Sequence, residues 1–148
     1  MKIKTIKTDD NHWTTEWIPI SYKPILSDFQ INKSLTFIWS QEYNLFAMCR
    51  AYYINENVIE IGDVWLNEQC RGKKINDEKI SIIFLKKVIS KIWKLYSNAK
   101  LINLIVSQDN IPAIKLYERL KFICIKLISN KKLGIKSGFL MSKNKRIS

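Results

Sequence analysis

Glycine and proline are scarce in this chain, at four and three of 148 residues, and no Pro/Gly/Ser-rich linker, repeat or low-complexity block divides it. Two domains would each be too small, so the chain reads as one globular domain, 1–148, whose 47% apolar and 26% charged residues supply a proper core. Cysteine is sparse and odd in number. Cys49, Cys70 and Cys124 stand far apart with no CxxC pair, which points to free thiols in a reducing compartment and spells no zinc site. His12 is the only histidine, which disfavours Ser-His and Cys-His chemistry. GxxxxGK and GxGxxG are missing, so P-loop and Rossmann nucleotide enzymes are excluded. The longest buried-looking run, "LINLIV", is too short to span a bilayer, and "MKIKTIKTDDN" lacks the apolar centre of a signal peptide. The expected protein is soluble, cytoplasmic and free of membrane contacts.

What the chain has in excess is positive charge, +12 from 25 basic and 13 acidic residues. Such a balance favours anionic partners. Only Arg50, Arg71, Arg119 and Arg146 are arginine, and Lys, Ile and Asn are all products of AT-rich codons, so genome composition accounts for part of it. The lysines are scattered, without the stripe or reading motif of a nucleic-acid surface. A basic RNA- or DNA-binding domain is a rival that rests on charge alone.

"KIKTIKT" alternates as a short strand does, and the stretch 11–33 is mixed, with a short helix expected in "PILSDFQINK". "LTFIWSQ", "NLFAMCRAYYIN" and "VIEIGDVWLN" read as three strands joined by short turns, an antiparallel meander. From Glu78 to Tyr96 the period changes. Ile80, Phe84, Leu85, Val88, Ile89, Ile92 and Tyr96 fall at helical spacing and mark one face. "LINLIV" suits a buried strand, "SQDN" caps a second helix, "IPAIKLYERL", and "FICIKLIS" with "GFLMS" forms a closing hairpin. The predicted fold class is α/β or mixed α+β, with a mixed sheet.

Two stretches in this order carry a resemblance. "VWLNEQCRGKKIND" resembles the acetyl-CoA signature of the GCN5-related N-acetyltransferases (GNAT), in which a strand runs into Q/R-x-x-G-x-G/A and then a helix. "NIPAIKLYERLKF" is similar to that family's later segment, N-x-x-A-x-x-L-Y-x-x-x-G-F. The likeness covers roughly 35–139. It implies a central, mostly antiparallel mixed sheet flanked by helices, with acetyl-CoA as co-substrate and no metal. It also implies direct acetyl transfer to a primary amine with both substrates bound together.

The physical reading agrees. A turn feeding a helix start leaves backbone N–H groups aimed outward with the positive end of the helix dipole behind them, a nest for a pyrophosphate. Gly72 permits close backbone approach, and Gln69, Arg71, Lys73 and Lys74 add donors, with Ile75 and Asn76 completing the segment. Asn76 suits an N-cap here, with Asp77 and Glu78 in the first helical turn. Lys74 stands where the pattern prefers Gly or Ala, and Lys121 where it has glycine. If the backbone is left-handed at Lys121, that costs about 1 kcal/mol.

By the same resemblance, Tyr117 protonates or hydrogen-bonds the leaving thiolate, since amine attack on a thioester expels one. Asn110 bonds the pantetheine arm or caps the helix, with Ala113 beside it. The backbone N–H groups around Trp65 and Leu66 polarise the acetyl carbonyl. The amine must lose a proton, to Glu60, to Asp63 or to water. On a regular strand those two carboxylates face opposite sides, unless a bulge near Gly62 intervenes. Trp13, Trp17 and Trp39 line an acceptor site or the core. The basic balance favours an amine carried on something anionic, such as a nucleotide-linked amino sugar. The alternative is a non-catalytic member of the same fold that binds CoA or a protein.

Overall fold

The computed structural model describes residues 1–7, 34–41, 44–130 and 135–145. The helix expected in "PILSDFQINK", and with it His12, Trp13 and Trp17, lies outside them. Among the described residues, nine strands and two helices follow one another. The first strands are β1 (Ile3–Lys7), β2 (Ser34–Gln41), β3 (Asn44–Asn55) and β4 (Val58–Leu66). Two short ones, β5 (Lys74–Ile75) and β6 (Glu78–Lys79), precede helix α1 (Ile80–Leu95). Strand β7 (Leu101–Ser107), helix α2 (Ile111–Arg119), β8 (Ile123–Asn130) and β9 (Ile135–Asn144) complete the chain.

Seven strands form one sheet in the order β1-β2-β3-β4-β7-β9-β8. The predicted three-strand meander is there as β2 to β4, with β1 added antiparallel beside β2, and so is the closing hairpin of β8 and β9. Among the described strands only β4 and β7 run parallel, which α1 makes possible by carrying the chain back across the sheet. The mixed, mostly antiparallel sheet with two helices is the fold class read from the sequence.

The core follows from the two periodicities. Phe37, Ala47, Cys49, Ala51, Ile59, Ile61, Ile102, Leu104 and Val106 alternate along β2, β3, β4 and β7, and all are buried in one cluster. Helix α1 lays Ile82, Phe84, Leu85, Val88, Ile89 and Ile92 into it. Each such side chain contributes about 1.5–3 kcal/mol when taken fully from water. That burial, and not capping, holds the helix, because its N-cap Lys79 makes no side-chain hydrogen bond. Strand β7 is buried on alternate residues only, with Leu101, Asn103 and Ile105 half-buried, so the both-faces burial expected of "LINLIV" is partial.

The start of α1 differs from expectation. Asn76 and Asp77 both have positive φ, 50° and 65°, and turn a two-stranded hairpin in which Lys74 pairs with Lys79 and Ile75 with Glu78. Two adjacent left-handed residues are the geometry of a tight hairpin turn, which Asn and Asp tolerate better than other side chains. Asn76 is therefore a turn residue and not an N-cap, and the first turn of α1 contains no acidic residue. The turn outcompetes the helix at this point.

Candidate active site

The sheet opens at its centre. Strands β4 and β7 pair only from Val58–Leu101 to Glu60–Asn103, after which β4 continues to Leu66 and β7 to Ser107 without further partners in each other. Glu60 thus stands at the vertex of a splay. In an antiparallel ladder successive residues turn their N–H and C=O groups to alternate neighbours. Trp65 and Leu66 pair with Met48 and Ala47 of β3, so one of the two turns its backbone groups into the opening.

Beyond the wide end of the splay the chain forms a tight turn. Asn67 anchors it, donating from Nδ2 to the Leu45 carbonyl and accepting the Gln69 N–H at Oδ1. The N–H groups of Cys70 and Arg71 go to the Asn67 carbonyl, and that of Lys73 goes to Cys70. Gly72, at φ 71°, is the left-handed residue of the turn, and no described hydrogen bond uses its N–H. No atom lies within 4 Å of where a Cβ would stand at Gly72, so the approach to its backbone is open. The Ile80 N–H returns to the Lys73 carbonyl at 3.0 Å, which fastens the hairpin and sets the start of α1 beside Gly72.

Between the starts of α1 and α2 lies a cleft of about 590 Å³. Arg71, Lys79, Lys115 and Arg119 supply its cations, and Gly72, Ser81 and Ile82 bring the turn and the first turn of α1 to its wall. Leu66, Ala113 and Leu116 make its apolar side. Of the residues named from the sequence, Leu66, Arg71, Gly72 and Ala113 meet here. Gln69 and Lys73 are exposed on the same turn, while Lys74, Ile75 and Asn76 ride on the hairpin. Lys79, Ser81, Lys115 and Arg119 were missed. The signal was the adjacent turn formers Asn76 and Asp77, which postpone the helix by one hairpin. With uncapped helix-start amides, a free glycine N–H and four cations, the cleft suits a polyphosphate.

Asn110 is the N-cap of α2 and accepts the Ala113 N–H at 3.3 Å, the capping role of the two expected for it. Farther along α2, Tyr117 packs its ring in the core, 8% exposed and edge-on to Phe122 at 5.9 Å. Its hydroxyl makes no hydrogen bond among the described residues. Burial pushes the phenol well above its ordinary range, and the neighbouring Cys49 adds to this, so Tyr117 stays protonated at neutral pH. After α2, Lys121 is left-handed at φ 72°, so the expected backbone cost applies.

The other candidate residues lie on β4 and β2. The β3–β4 register slips between Met48 and Arg50, which face Trp65 and Gly62, so β4 carries one extra residue there. The expected bulge exists, but its left-handed residue is Asp63, at φ 51°, and not Gly62. The bulge turns Asp63 to the side of Tyr52, which is paired with Glu60, so both carboxylates reach one face. The Tyr52 hydroxyl donates to Asp63 Oδ2, and the fully buried Arg50 places Nη1 3.6 Å from the same oxygen. Burial and the Asp63 charge hold the Tyr52 phenol far above its ordinary range. Glu60 is half-buried, and desolvation raises its carboxyl above the ordinary glutamate range. Trp39 is half-buried against Phe46, with ring centroids 4.8 Å apart.

The splayed sheet and the phosphate-type cleft define an acetyltransferase fold. The chain belongs to the acetyltransferase (GNAT) family, whose model matches residues 3–122. Solved structures repeat the fold. A variant of the spermidine N-acetyltransferase SpeG from Vibrio cholerae superposes with a TM-score of 0.69 at 14% identity, over 97% of this chain and 95% of that one. The N-acetyltransferase PseH from Campylobacter jejuni, in complex with acetyl coenzyme A, gives 0.67 at 14% over 97% and 99%. The ribosomal-protein-S18-alanine N-acetyltransferase from Escherichia coli gives 0.70 at 18% over 97% and 92%. No curated protein matches the chain in sequence. Among the described residues, no helix is long and apolar enough to cross a membrane.

Proposed function

We propose that the chain is a single-domain N-acetyltransferase that moves the acetyl group of acetyl-CoA to a primary amine by direct transfer. The observation that carries this reading is the opening of β4 from β7 after Glu60, beside a cleft with Arg71, Gly72 and the start of α1 in its wall. In this reading the turn at 69–74 and the α1 start hold the pyrophosphate, Ala113 and Leu116 line the pantetheine path, and the Trp65–Leu66 backbone polarises the acetyl carbonyl. The amine nitrogen attacks the carbonyl carbon, the C–S bond breaks, and the sulfur takes the Tyr117 proton.

Glu60 is the better base of the two carboxylates. Asp63 is already engaged, accepting from Tyr52 beside Arg50, whereas Glu60 has no described hydrogen bond and is made more basic by burial. Asp63 then acts as a positioning residue. The acceptor is proposed to be an amine on an anionic carrier, for instance a nucleotide-linked amino sugar, in keeping with the net charge of +12. The similar proteins are named for acceptors as different as spermidine and a ribosomal-protein alanine, so they do not choose among amines. The test is an amine panel with acetyl-CoA, read as thiol release, run beside thermal melts. Acetyl-CoA is expected to raise the Tm, and Glu60→Gln is expected to slow release far more than Asp63→Asn. A folded protein with no Tm shift at millimolar acetyl-CoA would leave a non-catalytic or nucleic-acid-binding role in its place.

A further inference from the structure

The last rung before β4 and β7 part carries more than Glu60. The register sets Tyr52 of β3, Glu60 of β4, Asn103 of β7 and Ser142 of β9 side by side across four strands. Paired residues turn their side chains to one face, and neighbouring strands lie about 4.8 Å apart. That face is the one away from the core. Ile59, Ile61, Ile102, Leu104 and Met141, their neighbours along the strands, are all buried in the core cluster. Glu60, Asn103 and Ser142 are half-buried there. In the β7 segment "LINLIVS", Asn103 is the only polar side chain before Ser107.

The row has a definite hydrogen-bond polarity. The Ser142 hydroxyl donates to Asn103 Oδ1 at 2.7 Å, which engages the carbonyl end of the amide. The two Nδ2 hydrogens remain, and no described hydrogen bond uses them. Ser142 Oγ has given its proton, so its lone pairs are left to accept. A donor and an acceptor thus stand beside the carboxylate proposed to take the amine proton. A hydroxyl group matches both, because it accepts and donates. A carbonyl matches the donor alone, and a carboxylate would also meet the Glu60 charge.

We propose that Asn103 binds the acceptor directly and that the acceptor is a vicinal amino alcohol, its amine at Glu60 and its neighbouring hydroxyl at the Asn103 amide. The inference rests on the reading of Glu60 as the base. The amine proton passes to Glu60, and the hydroxyl stays unreacted. A separation of about one strand spacing between the two side chains confines that hydroxyl to the carbon next to the amine-bearing one. Ser142 is a positioning residue that fixes which end of the amide faces the ligand.

Three probes isolate the hydroxyl. Cyclohexylamine lacks it, trans-2-aminocyclohexanol has it beside the amine, and trans-4-aminocyclohexanol carries it across the ring. Thiol release with acetyl-CoA, as kcat/KM per unprotonated amine, should favour trans-2-aminocyclohexanol about tenfold over each of the others. Asn103→Leu should cut that preference to about twofold or less, chiefly through KM. Ser142→Ala should lower it about threefold, and Ser142→Thr, which keeps the hydroxyl, should restore it. A merely structural pair would lower the Tm in these variants and leave the preference as it was. Equal use of the three amines by the parent, or a preference that survives both Asn103→Leu and Ser142→Ala, overturns this proposal and leaves the acetyltransferase reading standing. Release with another amine but with none of these three does the same. No release with any amine, together with no Tm shift at millimolar acetyl-CoA, overturns that reading and this proposal with it.

Discussion

The Tyr52 hydroxyl donates to the Asp63 carboxylate across the β3–β4 pair, at the residue where β4 carries its extra, left-handed position. Strain at Asp63 and the bond from Tyr52 belong together. A left-handed aspartate persists only where its surroundings fix it, and here a phenol and the buried Arg50 both take hold of its carboxylate. Tyr52→Phe should therefore cost about 1–3 kcal/mol of stability, the penalty for a buried acceptor deprived of its donor. A double-mutant cycle with Asp63→Asn, read by urea unfolding, checks it. Additive losses would mean that the two residues do not support each other.

The desolvated Glu60 makes a signed pH prediction. Burial raises its carboxyl above the ordinary glutamate range, so the acidic limb of kcat/KM should lie at higher pH than an exposed glutamate would set, and activity should fall as pH drops through it. The same shift means that the folded state binds this proton more tightly than the unfolded chain does. Glu60→Gln should then stabilise the protein at neutral pH, with the gain vanishing as pH falls below the unfolded value. Melts at pH 7 and pH 4 read this, alongside loss of the acidic limb in the variant. A limb that persists unchanged in Glu60→Gln would assign it to another group.

Lys121→Gly should raise stability by about 1 kcal/mol, because glycine adopts the left-handed conformation without the β-carbon clash. For a chain of 148 residues that is a Tm increase of about 2–4 °C. Relief of Lys143 from the neighbouring charge adds in the same direction. An unchanged or lowered Tm would show that the Lys121 side chain makes a compensating contact.

Much of the fold was legible because its periodicities are clean. Ile80, Phe84, Leu85, Val88, Ile89 and Ile92 could only be one helix face, and the strands from β2 to β4 alternate visibly around short turns. The hairpin before α1 was not read, because Asn76 and Asp77 serve equally as helix-start residues and as a two-residue turn, and only the pairing of Lys74 with Lys79 decides between them. The family resemblance allowed for a bulge in this strand, but the obvious glycine drew attention from Asp63. The side chains that hold Asp63, Tyr52 and Arg50, come from a neighbouring strand, and no local pattern announces such a contact. Tyr117 was placed on its helix correctly, yet its burial near Cys49 is a property of packing that spacing does not carry.

Gly72 tests the cofactor cleft. Its left-handed φ and open approach predict that Gly72→Val weakens acetyl-CoA binding more than Lys74→Ala, since Lys74 stands out on the hairpin. Calorimetric titration of both variants measures this. The reverse order would make the lysine charge, and not the backbone of the turn, the principal phosphate contact.

The most direct measurement is the rate of thiol release by Tyr117→Phe, beside an acetyl-CoA titration of the same protein. The Tyr117 side chain is protonated and its ring buried, and its hydroxyl has no described partner, so removal of the hydroxyl leaves the ring packed against Phe122 and the fold intact. If it protonates the departing sulfur, kcat should fall about 10²-fold while acetyl-CoA affinity and acceptor KM hold. Unchanged turnover with intact acetyl-CoA binding would contradict the account and reduce Tyr117 to a packing residue.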